Sequence, residues 1–275
     1  MIVAATAVTG GFGLLIGSFL NVVIFRVPAG RSIVRPPSAC GGCGTEIRPF
    51  DNVPVLSWLL LGGRCRDCAS PISVRYPFVE LLTGVAFAAI VLRFAPWTAF
   101  DISLADGIGA IAETLAFLVL AGIGIALAWI DLDTHRLPDA IVLPSYPALA
   151  ALFGIAGLAM SDPGAMLRAA LGATILWSAY LLMAFAYPRG MGMGDVKLAG
   201  VIGMALGWLG WPELAVGAFA AFLLGGLFAL VLALLGRVGR GSGIPFGPWM
   251  LAGAGAAIFA GEPIWHAYLR LVGLE

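Results

Sequence analysis

Residues 190–210, GMGMGDVKLAGVIGMALGWLG, decide how this chain is to be read. Three glycines alternate with two methionines, Asp195 closes the segment, and an apolar run follows whose one charge is Lys197. Gly200, Gly203, Gly207 and Gly210 recur in that run at i, i+3, i+7 and i+10. On a helix this spacing draws one flat stripe, suited to close contact with a second helix in lipid. Asp195 itself fits either the N-cap of that helix, where the helix dipole favours a negative charge, or a chemical role. A cap needs no G-x-G-x-G lead-in, whereas glycines permit unusual dihedrals and let another backbone approach closely. An ionisable group at membrane depth is costly, so the chemical role carries the weight.

The rest of the sequence places this segment in a membrane. Of 275 residues, 61% are hydrophobic and 11% charged, against about 25% charged in ordinary soluble domains. Apolar runs recur at roughly 2–25, 79–97, 107–130, 139–160, 167–187, 196–212, 214–235 and 245–268. Each approaches the ~20 residues that cross ~30 Å of hydrocarbon. The expected fold is an all-α polytopic membrane protein of about eight transmembrane helices. The first run begins at Ile2 with no basic segment before it, so it is expected to be a retained helix and not a cleaved signal. With the N-terminus outside, twelve of the fifteen basic residues fall in cytoplasmic stretches or at their edge, and only Arg93, Arg168 and Arg270 do not. Arg189, Arg237 and Arg240 are among the twelve. That asymmetry sets the orientation. A net charge of zero gives no field directed at nucleic acid.

Three regions are expected: a first helix at 1–25, a polar loop at 26–78, and a helical bundle at 79–275. The loop holds CGGC at 40–43 and CRDC at 65–68. Two C-x-x-C knuckles at this separation suit one tetrahedral Zn²⁺ bound by Cys40, Cys43, Cys65 and Cys68, with Gly41 and Gly42 easing the first turn. About fifty residues with few large apolar side chains struggle to bury a core, and a structural metal supplies the folding free energy. Four protein ligands leave no open position for catalysis. Two disulfides or a redox pair are the alternative, which the cytoplasmic side disfavours.

Among the carboxylates two clusters stand out. LAWIDLDTHRLPDAIVLP gives Asp131, Asp133 and Asp139, and the glycine segment gives Asp195. Two residues advance a helix by ~200°, so Asp131 and Asp133 point to opposite sides. Asp131, nearer the apolar span, is the one expected to turn inward. Asp139 follows Pro138 and is expected to N-cap the next helix. Two carboxylates from different helices, meeting at a membrane edge and sharing one proton, make an aspartic protease. A cation transporter or channel would also hold intramembrane acids and glycine-broken helices. Against it, no inverted repeat is visible. A zinc-held scaffold without catalysis leaves the two acid motifs without a purpose.

The chain resembles the type IV prepilin peptidases over most of its length. GSFLNVVIFRVP at 17–28, the two cysteine pairs, RYPFVELLTG at 75–84, IDLDTHRLPD at 130–139, GMGMGDVKLAG at 190–200 and IPFGPWM at 244–250 carry the resemblance in order. Its G-x-G-D element is shared with a wider group of intramembrane aspartyl proteases. The resemblance implies catalytic roles for Asp131 and Asp195, and cleavage of a basic leader, after a Gly, from pilin or pseudopilin precursors. It also implies a bacterial inner-membrane location with a cytoplasmic active site. Transfer of a methyl group from S-adenosylmethionine to the new N-terminus rests on the resemblance alone. Gly190, Gly192 and Gly194 are expected to leave room for the substrate backbone, and Asp133 and Asp139 to attract the basic leader. Glu80 lies in a family-like motif and is a further candidate for substrate binding.

Overall fold

The structure is a computed structural model and describes residues 2–95, 103–188, 190–236 and 244–274. Arg189, Arg237 and Arg240, counted above toward the orientation, lie outside these residues, as does the end of the expected second span. Helices α1 (Ile2–Arg26), α3 (Arg75–Phe94), α4 (Leu104–Thr134), α5 (Asp139–Ala159), α6 (Pro163–Ala186), α7 (Met193–Leu209), α8 (Trp211–Leu234) and α9 (Gly247–Leu271) are the long elements. A short helix, α2 (Leu56–Leu60), lies in the polar loop. β pairing among the described residues is confined to two isolated bridges, Ala39 with Glu46 and Arg64 with Pro71. Six of the long helices are long and apolar enough to cross a membrane, so the chain is a multi-pass membrane protein. The six do not include α7 and α9. At 17 residues, α7 extends only ~25 Å.

Local chemistry sets several helix ends a few residues from the expected ones. The Ser103 hydroxyl accepts from the Asp106 N–H at 3.0 Å, which starts α4 three residues before the apolar run. The Asp162 carboxylate accepts from the Ala165 N–H at 2.8 Å with Pro163 at the first helical position, which starts α6 early. At the other end of α4, His135 adopts a left-handed φ of 51° and its N–H closes on the Asp131 carbonyl at 2.9 Å. Asp131 therefore sits in the last turn.

The chain forms two compact units, and α4 contributes to both. In the first, residues 1–101 with 117–126, α1 and α3 lie together along glycines. A Cβ on Gly13 would stand 2.9 Å from the Gly84 Cα, so only glycine permits that approach. Phe94 stacks on Phe117 with ring centroids 4.3 Å apart.

In the second unit, residues 102–116 with 127–275, α7 is the hub and touches α5, α6, α8 and α9. It is buried nearly all round, from Val196 through Trp208. A helix that is apolar on every side finds its place inside a bundle. The expected single glycine stripe divides its work. Gly203 and Gly207 meet α6 backbone at Gly172 and Arg168, Gly200 meets the Tyr146 hydroxyl of α5, and Gly210 lies against Glu213. Gly200 lies about one turn nearer the start of α7 than Gly203, so the stripe meets different neighbours along the helix axis.

Candidate active site and metal centre

Asp131 and Asp195 both lie in the second unit, each against the start of a helix. The Asp131 side chain is 5% exposed, and its Oδ2 accepts from the Gly247 N–H at 3.0 Å. Gly247 is the first residue of α9. In the last turn of its own helix a carboxylate meets an unfavourable dipole end; the N-terminus of α9 offsets it. Asp195 is the third residue of α7, not its cap. Gly192 caps the helix, its N–H donates to Asp195 Oδ2 at 3.1 Å, and its carbonyl accepts from the Asp195 N–H at 3.1 Å. The N-cap alternative for Asp195 falls one turn too late, because an N3 acid and an N-cap acid look alike in one dimension. The two sites share a neighbour, since Leu137 lies against Gly194, next to Asp195, and against Gly247, whose N–H Asp131 accepts.

The glycines before Asp195 serve by their small size. Gly192 has a φ of −82° and Gly194 lies inside α7, so unusual dihedrals are not what these two positions require. A Cβ on Gly194 would stand 2.9 Å from Leu137 Cβ, and one on Gly190 would collide with the Tyr187 ring. Leu137 also lies 3.4 Å from where a Gly247 Cβ would be, so one side chain lies beside glycines next to both acids.

Asp133 is exposed, on the side of α4 opposite Asp131. Asp139 is the first residue of α5, with Pro138 at the cap position and no side-chain capping bond, so the expected N-cap role does not hold. Its carboxylate is instead bonded through both oxygens to Lys197 Nζ, at 2.7 and 2.8 Å. The Lys197 carbonyl accepts from the Tyr146 hydroxyl at 2.6 Å. Lys197 is the only lysine in the chain, a signal that composition offered and motif spacing could not place. The Gly247 N–H was likewise out of reach, since no side chain announces a backbone donor.

Glu80 lies in the first unit, 8% exposed, and its Oε2 accepts from the Val55 N–H at 2.8 Å. It ties the polar loop to α3. In that loop the Sγ atoms of Cys40, Cys43, Cys65 and Cys68 all lie within 4.8 Å of one another, an arrangement able to hold a metal ion. The two knuckles repeat one geometry. The Cys40 and Cys65 N–H groups donate to Thr45 and Ser70 carbonyls, and the Gly44 and Ala69 N–H groups return to Cys40 and Cys65. Positive φ falls on Gly44 (74°) and Ala69 (57°), not on Gly41 or Gly42, because the chain reverses after the second cysteine of each pair. Gly42 is needed for a different reason: a Cβ there would collide with Ser70 Oγ of the other knuckle. The Ser70 hydroxyl and N–H hold the Cys68 thiol down to about 6, so it is readily the thiolate that metals bind.

A helical membrane bundle with two neighbouring carboxylates at helix ends, joined to a four-cysteine loop, defines a class of membrane-embedded hydrolase. Residues 118–234 match the type IV leader peptidase family, and residues 12–94 match the Bacterial Peptidase A24 N-terminal domain. The prepilin leader peptidase/N-methyltransferase of Aeromonas hydrophila is 36% identical, over 94% of this chain and 91% of its own. Those of Pseudomonas aeruginosa strain PAO1 and Neisseria gonorrhoeae are 33% and 34% identical, over 96% and 93% of this chain and 93% and 90% of theirs. No solved structure matches. The chain belongs to the type IV leader peptidase family and is a membrane peptidase with N-methyltransferase activity.

Proposed function

We propose that the chain removes the basic leader from type IV prepilins or pseudopilins at the cytoplasmic face of the bacterial inner membrane, using Asp131 and Asp195 as an aspartyl dyad. What supports this most is that each carboxylate is oriented by the N–H of a glycine at a helix start, Gly247 and Gly192, with Leu137 lying against both Gly247 and Gly194. Two carboxylates brought together in such a dyad retain one shared proton. The ionised member takes a proton from water as its oxygen attacks the scissile carbonyl. The protonated member donates to the carbonyl oxygen, and collapse of the tetrahedral intermediate returns the proton to the leaving amine. We assign hydrolysis to the bundle 79–275 and a metal-held structural role to 26–78. The new N-terminal amine then takes a methyl group from S-adenosylmethionine, a co-substrate. The cation-path reading has no repeat behind it, and family membership leaves it without support.

The leader junction lies where a basic segment meets an apolar helix, at the depth of the two acids. The exposed Asp133 at the end of α4 is the acid we assign to attract the leader, whereas the Asp139 carboxylate is bonded to Lys197. The Asp139–Lys197 pair is partly solvated, with side chains 54% and 31% exposed, and contributes little stability. Its value lies in register, because it fastens the start of α5 to the turn that carries Asp195. Lys197→Met should lower kcat by about tenfold to a hundredfold, the cost of a small misplacement. The exchange variant Asp139→Lys with Lys197→Asp should recover part of that loss. Steady-state cleavage of a precursor peptide checks both, and an unchanged kcat in Lys197→Met would remove the pair from the mechanism.

Zinc is the metal we assign to the four cysteines. Tetrahedral thiolates at ~2.3 Å from Zn²⁺ stand ~3.8 Å apart, and Cys40 Sγ lies 3.7 Å from Cys68 Sγ. The purified protein should carry about one zinc per chain, with loss of a single ligand releasing most of it. Elemental analysis of the protein and of Cys43→Ser tests this, and four reactive thiols with no metal would overturn it.

A further inference from the structure

The polar loop carries a helix mounted the wrong way round for water. In α2, Leu56, Leu59 and Leu60 are 59%, 59% and 87% exposed. The opposite side fixes the helix to the loop. The Ser57 hydroxyl donates to the Phe50 carbonyl at 2.9 Å and accepts from the Val53 N–H at 3.1 Å. Trp58 Nε1 donates to the Ile72 carbonyl at 3.0 Å. Leucines at i, i+3 and i+4 thus point away from the loop while polar bonds point into it. A domain surrounded by water buries such a face.

The depth of α2 is set by Glu80. Val55, the residue that precedes α2, donates its N–H to Glu80 Oε2 at 2.8 Å, and it does so at a φ of 61°. A β-branched residue there is strained, so the surrounding bonds must hold it. Glu80 lies five residues past the start of α3, ~7 Å along a helix whose ~30 Å just matches the hydrocarbon thickness. At that level Phe78 and Leu81 of α3 are 53% and 52% exposed, the lipid-facing side of a membrane span. Asn21 Nδ2 donates to the Tyr76 carbonyl at 3.1 Å and ties α1 to α3 near the same level. The leucine face and the lipid-facing surface of α3 therefore stand at one depth in one compact unit.

We propose that α2 is an interfacial anchor, with Leu56, Leu59 and Leu60 inserted at the headgroup–acyl boundary of the bilayer that α1 and α3 cross. It secures the four-cysteine loop against the membrane surface at the side opposite its polar bonds. The partner is lipid, and the face needs no protein to cover it.

The test uses the full chain in proteoliposomes, with the fluorescent amino acid acridonylalanine placed at Leu60 or, as an aqueous control, at the exposed Glu46. Leu60 is so exposed that the replacement leaves the loop's packing intact. Lipids spin-labelled near the headgroup should quench the probe at 60 and spare the one at 46. Aqueous iodide should quench position 60 about tenfold less than position 46. Equal iodide quenching at both positions would overturn the anchor. So would a probe at 60 that iodide reaches until a precursor peptide is added, which would assign the face to the substrate's apolar helix instead.

Discussion

Asp131→Asn and Asp195→Asn should each lower precursor cleavage by at least ~10³-fold, because each removes one half of a proton-sharing pair. The substitution keeps the shape, and an amide oxygen still accepts the N–H of Gly247 or of Gly192. Folding is therefore expected to survive, and monodisperse yield and metal content in detergent should match the unaltered protein. The two losses should not add: groups that act as a unit fail together, so the double variant should fall no lower than the weaker single one. Mass spectrometry of a leader-bearing precursor after incubation reads all three variants. Substantial cleavage by either single variant would remove that residue from the dyad.

The second large effect is expected at the contact of α6 with α7. Gly172, Gly203 and Gly207 bring the two backbones together: a Cβ on Gly203 would collide with the Gly172 carbonyl, and one on Gly207 with that of Arg168. Backbone cannot move aside as the end of a flexible side chain can. Gly203→Val should cost about 3 kcal/mol or more, at the upper end for overpacking, and should push α7 off α6. Because Asp195 opens α7, activity should fall along with the melting temperature. Gly226→Ala on α8 meets nothing within 4 Å and should melt as the unaltered protein does. Thermal unfolding of the three proteins in one detergent checks the contrast, and an unchanged melting point for Gly203→Val would show that this contact is not close.

Much of this was open to reading from the chain itself. Composition and run length announced a membrane protein, and the two C-x-x-C pairs announced a metal-capable loop whose sulfurs do converge. Rotation of ~100° per residue separated a buried Asp131 from an exposed Asp133. These are properties of neighbouring residues, and periodicity or spacing carries them.

Partnerships between distant segments were not legible. Nothing near Asp131 names the Gly247 N–H as its donor, 116 residues away, and nothing near Asp139 names Lys197. Gly203 announced that some helix would come close, while only the folded bundle made it α6 and gave Gly200 to α5. The physical reason lies in the solvent. Lipid is as apolar as the helices, so burial does not choose among them, and the choice falls to shape, to small residues that let backbones touch, and to a few polar bonds. The sequence by itself determined that the chain is a multi-pass helical membrane protein, which residues bear charge beside its apolar runs and where the cysteines pair off. The tertiary structure decided which helix start each carboxylate meets, because that depends on steric fit between surfaces that only exist once the helices have packed.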